Sequence, residues 1–193
     1  MIACPLFRVE PVEWDAIGPA GFDGLLLTSA NAVRHAGPSL DHLKSLPVHT
    51  VGEATAIAAK EAGLSVVRVG RSDVRSLVAD LPDSIRLLHL AGVDHCDLAD
   101  ARIKSMIVYR SVAIASPGLP LLDGLVVAVH SPRAGARLAS LAPSRERTAI
   151  AAISPAASQS CGEGWERVES ADAPNDNRLL ALAASLCHTS PPE

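Results

Sequence analysis

No stretch of the chain carries five like charges in a row and the net charge is −4, so nothing resembles the basic footprint that a nucleic-acid backbone requires. Long hydrophobic runs are missing as well. Runs such as LVVAV at 125–129 have the length of a strand, far below the roughly 20 residues that cross a bilayer. The four cysteines, Cys4, Cys96, Cys161 and Cys187, are scattered without CxxC spacing, which favours reduced thiols over a disulfide framework. No basic segment leading into an apolar one opens the chain, so no secretory signal is read and a cytoplasmic location is expected. DHCD at 94–97 holds metal-friendly side chains, but adjacent residues on a loop lack the spacing of a zinc site, and no metal is expected. Absent too are HExxH, a Gly-rich phosphate loop and a Ser-His-Asp signature. What is present is apolar material, 48% of 193 residues, enough for packed cores in one domain or two small ones.

That material is written twice. FDGLLLTSANAVRHAG at 22–37 and LDGLVVAVHSPRAGARLA at 122–139 both open on Asp-Gly, run through apolar residues to a serine, and continue into an Ala-rich stretch holding an arginine. VGEATAIAAKEAG at 51–63 has its counterpart in ISPAASQSCGEG at 153–164, and SDVRSLVADL at 72–81 in DNRLLALAASL at 176–186. Three matched elements in one order, roughly 100 residues apart, predict two similar α/β units rather than a solenoid, whose repeats run about 20–50 residues.

In the first copy, strands are predicted at LLLT (25–28), VHTV (48–51), VVRV (66–69), LLHL (87–90) and MIVY (106–109), making five βα-like steps. Gly63 reads as a helix C-cap, Ser72 or Asp73 as an N-cap, and Pro82 as a stop. The second copy shows only GLVVAV (124–129), TAIAAI (148–153) and WERVE (165–169), with helices after Pro132, after Pro155 and over 177–187. CPLFRVEPV (4–12) and VYRSVAIAS (108–116) flank the first copy with strand-like alternation and predict a two-stranded antiparallel connector. The expected division is an inserted α/β domain at 13–107, a connecting β-ladder at 1–12 and 108–116, and a second, incomplete α/β domain at 117–193.

TSANAVR (28–34), VGEAT (51–55), VYR (108–110), HSPRAGA (130–136) and ISPAA (153–157), in this order, resemble the uroporphyrinogen-III synthase family across nearly the whole chain. The resemblance implies two flavodoxin-like parallel-sheet domains joined by the β-ladder, with the active site between them. It implies a monomeric, cofactor-free enzyme whose partner is a small molecule: hydroxymethylbilane loses its hydroxyl as water, ring D is inverted through a spiro intermediate, and the macrocycle closes to uroporphyrinogen III. Such a substrate carries carboxylates on every pyrrole ring. Helix N-termini hold anions without a basic patch, because their first N–H groups lack partners and the macrodipole favours negative charge.

Substrate contacts are accordingly expected at Thr28, Ser29 and Asn31, at Gly52, Ala54 and Thr55, at Ser131, Pro132 and Arg133, and at Ser154 and Pro155. Each turn taken alone reads better as an ordinary capped helix start; only recurrence in both copies favours a binding role. Arg34, Arg133 and Arg137 are further candidates for carboxylate contacts, or are solvated helix faces. Tyr109, the only tyrosine, matches the family's candidate for assisting departure of the hydroxyl. A phenol, with an ordinary pKa of about 10, donates a hydrogen bond while staying neutral. Packing against Phe7 is its structural alternative.

Two departures accompany the resemblance. Ala157 stands where the family often has a hydroxyl residue, and the chain opens at the connector where the family has a strand and helix with a Thr-Arg-Pro-like motif. Without that step, the edges and apolar faces of LVVAV and TAIAAI are expected to be exposed. The residues leave three readings open: the synthase, a non-catalytic relative that binds an anionic ligand between two lobes, and an unrelated two-lobed binder.

Overall fold

Apolar runs with no polar alternation suit strands covered on both faces, and the chain builds two separate sheets around such runs. The computed structural model describes residues 1–15, 17–70 and 73–189. The chain divides into two compact units, Phe7–Ala113 and Met1–Leu6 with Ile114–Glu193.

The Phe7–Ala113 unit runs β1 (Phe7–Pro11), β2 (Gly24–Leu27), α1 (Ala30–His35), a 3-10 helix (Gly37–Leu43), β3 (Val48–Val51), α2 (Glu53–Glu61), β4 (Val66–Gly70), α3 (Val74–Ala79), β5 (Leu87–Gly92) and β6 (Ile103–Ala113). These strands form one sheet in the order β1-β6-β5-β2-β3-β4, parallel throughout except for β1. The central strands GLLL and LLHLAG are buried at every residue. Leu25, Leu27, Leu88 and Leu90 pack under Ala32 and Val33 of α1 and Ala58 and Ala59 of α2; Leu26 and Leu87 pack under Leu77 and Val78 of α3 on the opposite face. Asp73 caps α3, its carboxylate accepting from the Ser76 amide at 2.8 Å; Ser72, the alternative cap, lies outside the described residues. Gly63 follows α2 with φ +78°, the left-handed conformation that glycine adopts without strain.

Three expectations for this unit change. Numbered from its first parallel strand, the sheet runs 3-2-1-4-5, the order of the dinucleotide-binding doubly wound fold, where a flavodoxin-like sheet runs 2-1-3-4-5. The helical steps number three, not five, since residues 93–102 join β5 to β6 without a helix and β6 itself runs on to pair with β1. The antiparallel ladder between the two flanking segments is present, but it continues the sheet as its edge. MIVY and VYRSVA lie on one 11-residue strand, β6, whose first half pairs parallel with β5 and whose second half pairs antiparallel with β1 as the sheet edge.

The other unit carries β7 (Val126–Val129), α4 (Pro132–Leu141), β8 (Ala149–Ala152), α5 (Pro155–Ser160), β9 (Arg167–Ser170) and α6 (Asp176–Thr189). Its sheet is three parallel strands in the order β7-β8-β9. It repeats the winding of β2-β3-β4, with α4 and α5 covering one face through Leu138, Ala157 and Cys161, and α6 covering the other through Leu179 and Leu186. The repeated sentence thus encodes a repeated strand-and-helix winding.

The expected exposure of both apolar strands fails in a specific way. TAIAAI is the central strand, with β8 buried at all four residues, because helices cover both faces and a strand pairs on each side. Only β7 is half-buried, and among the described residues no strand pairs on its outer side, where β2 has β5.

Candidate functional site

β6 changes partners at Tyr109, which lies opposite Gly92 of β5 on one side and Pro11 of β1 on the other. The ring is half-buried and packs on the core formed with α1. Phe7 is paired further along the ladder with Ala113, so the close neighbour of the phenol is Gly92 rather than Phe7. A Cβ on Gly92 would stand 2.6 Å from Tyr109 Cε2 and Cζ and 2.9 Å from its Oη. The His35 ring, at the end of α1, has its centroid 6.4 Å from that of Tyr109.

Behind this strand end lies a polar row that sequence reasoning missed. His89, buried on β5, has Nε2 3.1 Å from the Thr28 hydroxyl and Nδ1 3.2 Å from Ser105 Oγ. Burial, with the nearby His95 adding to it, pushes the His89 imidazole down to about 4, so it is neutral near pH 7. The available signal was an ionisable residue in the middle of the apolar run LLHLAG. His49, on β3, is likewise buried and its pKa is lowered, by burial and then by the Arg68 charge. From the DHCD loop, His95 donates from Nδ1 to the Gly92 carbonyl at 2.9 Å. Among the described residues no group of three or more His, Cys, Asp or Glu gathers as a metal set.

The four expected turns all fall at strand-to-helix junctions, but they are not equivalent. Ser29 caps α1, its Oγ accepting from the Asn31 amide at 3.2 Å, and its carbonyl takes the Ala32 amide. Ser131 caps α4 by accepting from the Ala134 amide at 3.1 Å, and Ser154 caps α5 by accepting from the Ala157 amide at 3.3 Å. Pro132 and Pro155 occupy the first helical positions and have no N–H to offer. These three ends satisfy much of their own donor capacity. α2 differs: its N-cap is Gly52, at φ +80°, with no side-chain cap. The first intrahelical bond there runs from the Ala56 amide to the Gly52 carbonyl, so the amides of Glu53, Ala54 and Thr55 precede the ladder. Thr55 itself is buried, whereas Thr28 is half-buried with its hydroxyl on His89.

The arginines divide similarly. Arg34 and Arg133 are exposed on their helices. Arg137 donates from a terminal nitrogen to the Ile114 carbonyl at 2.8 Å, so part of its capacity goes to the main chain.

Comparison with known proteins decides what these features belong to. A family model described as uroporphyrinogen-III synthase HemD matches residues 1–181, a span that covers both sheets. The chain belongs to the uroporphyrinogen-III synthase family. That membership makes it an enzyme of tetrapyrrole biosynthesis, a porphyrin-pathway lyase. No curated protein matches the chain. Its fold is similar to the solved uroporphyrinogen-III synthetase from Helicobacter pylori 26695, with a TM-score of 0.74, 18% identity, and 94% of this chain and 91% of that one covered. A mutant uroporphyrinogen III synthase from the extremely thermophilic bacterium Thermus thermophilus gives a TM-score of 0.54 at 19% identity, covering 96% and 87%. At such identities the likeness concerns the fold; the family assignment rests on the model match. Among the described residues of this uroporphyrinogen-III synthase family member, no helix is long and apolar enough to cross a membrane.

Proposed function

We propose that the chain closes hydroxymethylbilane to uroporphyrinogen III with loss of water and inversion of ring D, and that Tyr109 and the start of α2 carry distinct parts of that work. The match over residues 1–181 supports the reaction; the seating of the only tyrosine at the end of β5, beside Gly92, supports the role of Tyr109. As the substrate C–O bond breaks, the electron pair leaves with oxygen, and a phenolic O–H donated to that oxygen stabilises it on the way to water.

Substrate carboxylates are read as bound at helix starts, first at Gly52, Ala54 and Thr55, where no side chain competes for the amides. The starts at Thr28–Asn31, Ser131–Arg133 and Ser154–Pro155 contribute fewer amides, because their serines already accept from them. Most of the rate then comes from holding ring D in the inverted approach, since few acid–base groups are required. In this reading Phe7–Ala113 is a domain inserted into the other unit, and the enzyme is a cytoplasmic monomer whose partner is its substrate.

The test is the isomer ratio. Supplied with hydroxymethylbilane, the chain is expected to yield the type III isomer above the uninverted product that forms without enzyme. A ratio equal to the enzyme-free control sinks the reading.

A further inference from the structure

Gly92 ends a strand that is buried at every residue, and nothing in its backbone calls for glycine. Its φ is not among the positive values, so the left-handed conformation that usually selects glycine is not the reason. The open turn at Gly52, with φ +80° and nothing within 4 Å of an added Cβ, shows the contrasting case. At Gly92 the space is taken by Tyr109, whose Cε2 and Cζ would lie 2.6 Å from a Cβ and whose Oη would lie 2.9 Å away. Real Cβ atoms do not tolerate such distances, and all three atoms belong to one side chain.

The backbone beneath the ring is fixed independently. The Gly92 carbonyl accepts from the His95 amide at 3.1 Å and from His95 Nδ1 at 2.9 Å, while the Val93 amide donates to the Tyr109 carbonyl at 3.0 Å. The pairing of β5 with β6 shifts register between Ala91 and Gly92, so the bulge brings Gly92 opposite Tyr109. A side chain at 92 therefore meets a held strand and a displaceable ring, and the ring gives way.

We propose that Gly92 is a positioning residue for the reaction: by leaving its side-chain space empty it lets the Tyr109 ring lie against the end of β5 and sets where the phenolic oxygen stands. This rests on the role assigned to Tyr109 above, and the experiment separates the two. Tyr109 is the only tyrosine, so the ring resonances of protein isotopically labelled at tyrosine report on its position alone.

The full chain is compared with Gly92→Ala, Tyr109→Phe and the Gly92→Ala/Tyr109→Phe double variant, measuring kcat and KM for type III formation. Gly92→Ala is expected to lower kcat about tenfold or more with KM within about twofold, and to shift the ring resonances of Tyr109. In the Tyr109→Phe background Gly92→Ala should cost no more than about twofold further, because no phenolic oxygen remains to misplace. Unshifted ring resonances in Gly92→Ala overturn the proposal whatever the kinetics show. Shifted ring resonances with undiminished kcat in Tyr109→Phe mean that Gly92 seats the ring but that Tyr109, and Gly92 with it, has no part in the reaction. Should Gly92→Ala fold poorly, the Gly92→Ala/Tyr109→Ala double variant, which removes the ring from the collision, should regain the thermal midpoint of Tyr109→Ala alone. Failure to regain it means that Gly92 matters for something other than the ring, and the proposal falls.

Discussion

His89 Nε2 lies 3.1 Å from the Thr28 hydroxyl, tying the middle of β5 to the turn that follows β2. One buried imidazole thus anchors a residue of the first strand-to-helix junction, and it is held neutral, its pKa pushed down to about 4. A folded-state value below the unfolded value of about 6.5 means that the unfolded chain binds the proton more readily. The associated stability is complete above about pH 6.5 and is lost as pH falls through the window toward about 4, by ~3 kcal/mol at most. Chemical denaturation at steps between those pH values should show this slope, with a smaller one in His89→Gln. An identical slope in His89→Gln would assign the acid sensitivity elsewhere, with the buried His49 as the next group to test.

Tyr109→Phe keeps the ring on Gly92 and removes only the oxygen. Donation to a leaving hydroxyl matters chiefly in the transition state, so kcat should fall by about two orders of magnitude while KM changes little. Steady-state kinetics on hydroxymethylbilane decide it; an unchanged kcat removes the phenol from the chemistry.

At the start of α2, Glu53 sits in the first helical turn beside the amides proposed to receive substrate carboxylates. Its charge offsets the helix dipole and repels an arriving anion. Glu53→Gln should lower KM by roughly two- to fivefold, with the gain shrinking at high salt. A higher KM would place the carboxylates away from this helix start.

Gly135 of α4 lies against α5 so closely that an added Cβ would stand 2.9 Å from both the Ala157 carbonyl oxygen and Cys161 Sγ. Here the obstacle includes backbone, so relief requires the helices to part, and Gly135→Ala should destabilise that unit by about 1–3 kcal/mol. Thermal unfolding of the variant measures it. No loss would mean that α4 and α5 can slide apart freely.

Much of this protein was legible in its residues. The Asp-Gly openings and apolar runs located β2 and β7, the alternation of strands with helices gave parallel sheets, and the matched segments gave a repeated winding of three strands. Those features are local: an apolar run, a serine before a helix and a glycine after one act through their own backbone, so the sequence alone determines them. The ordered motifs also carried the family. Tertiary structure decided the rest, because it depends on which strands meet. Strand order put β5 between β2 and β6; the first neighbour brings His89 to Thr28 and the second brings Tyr109 to Gly92. MIVY and VYRSVA became one strand because the pairing of β6 passes from β5 to β1 without a break. Four serine or glycine turns that look alike in sequence differ in the fold, since three serines accept from their own helices and Gly52 has no side chain with which to do so.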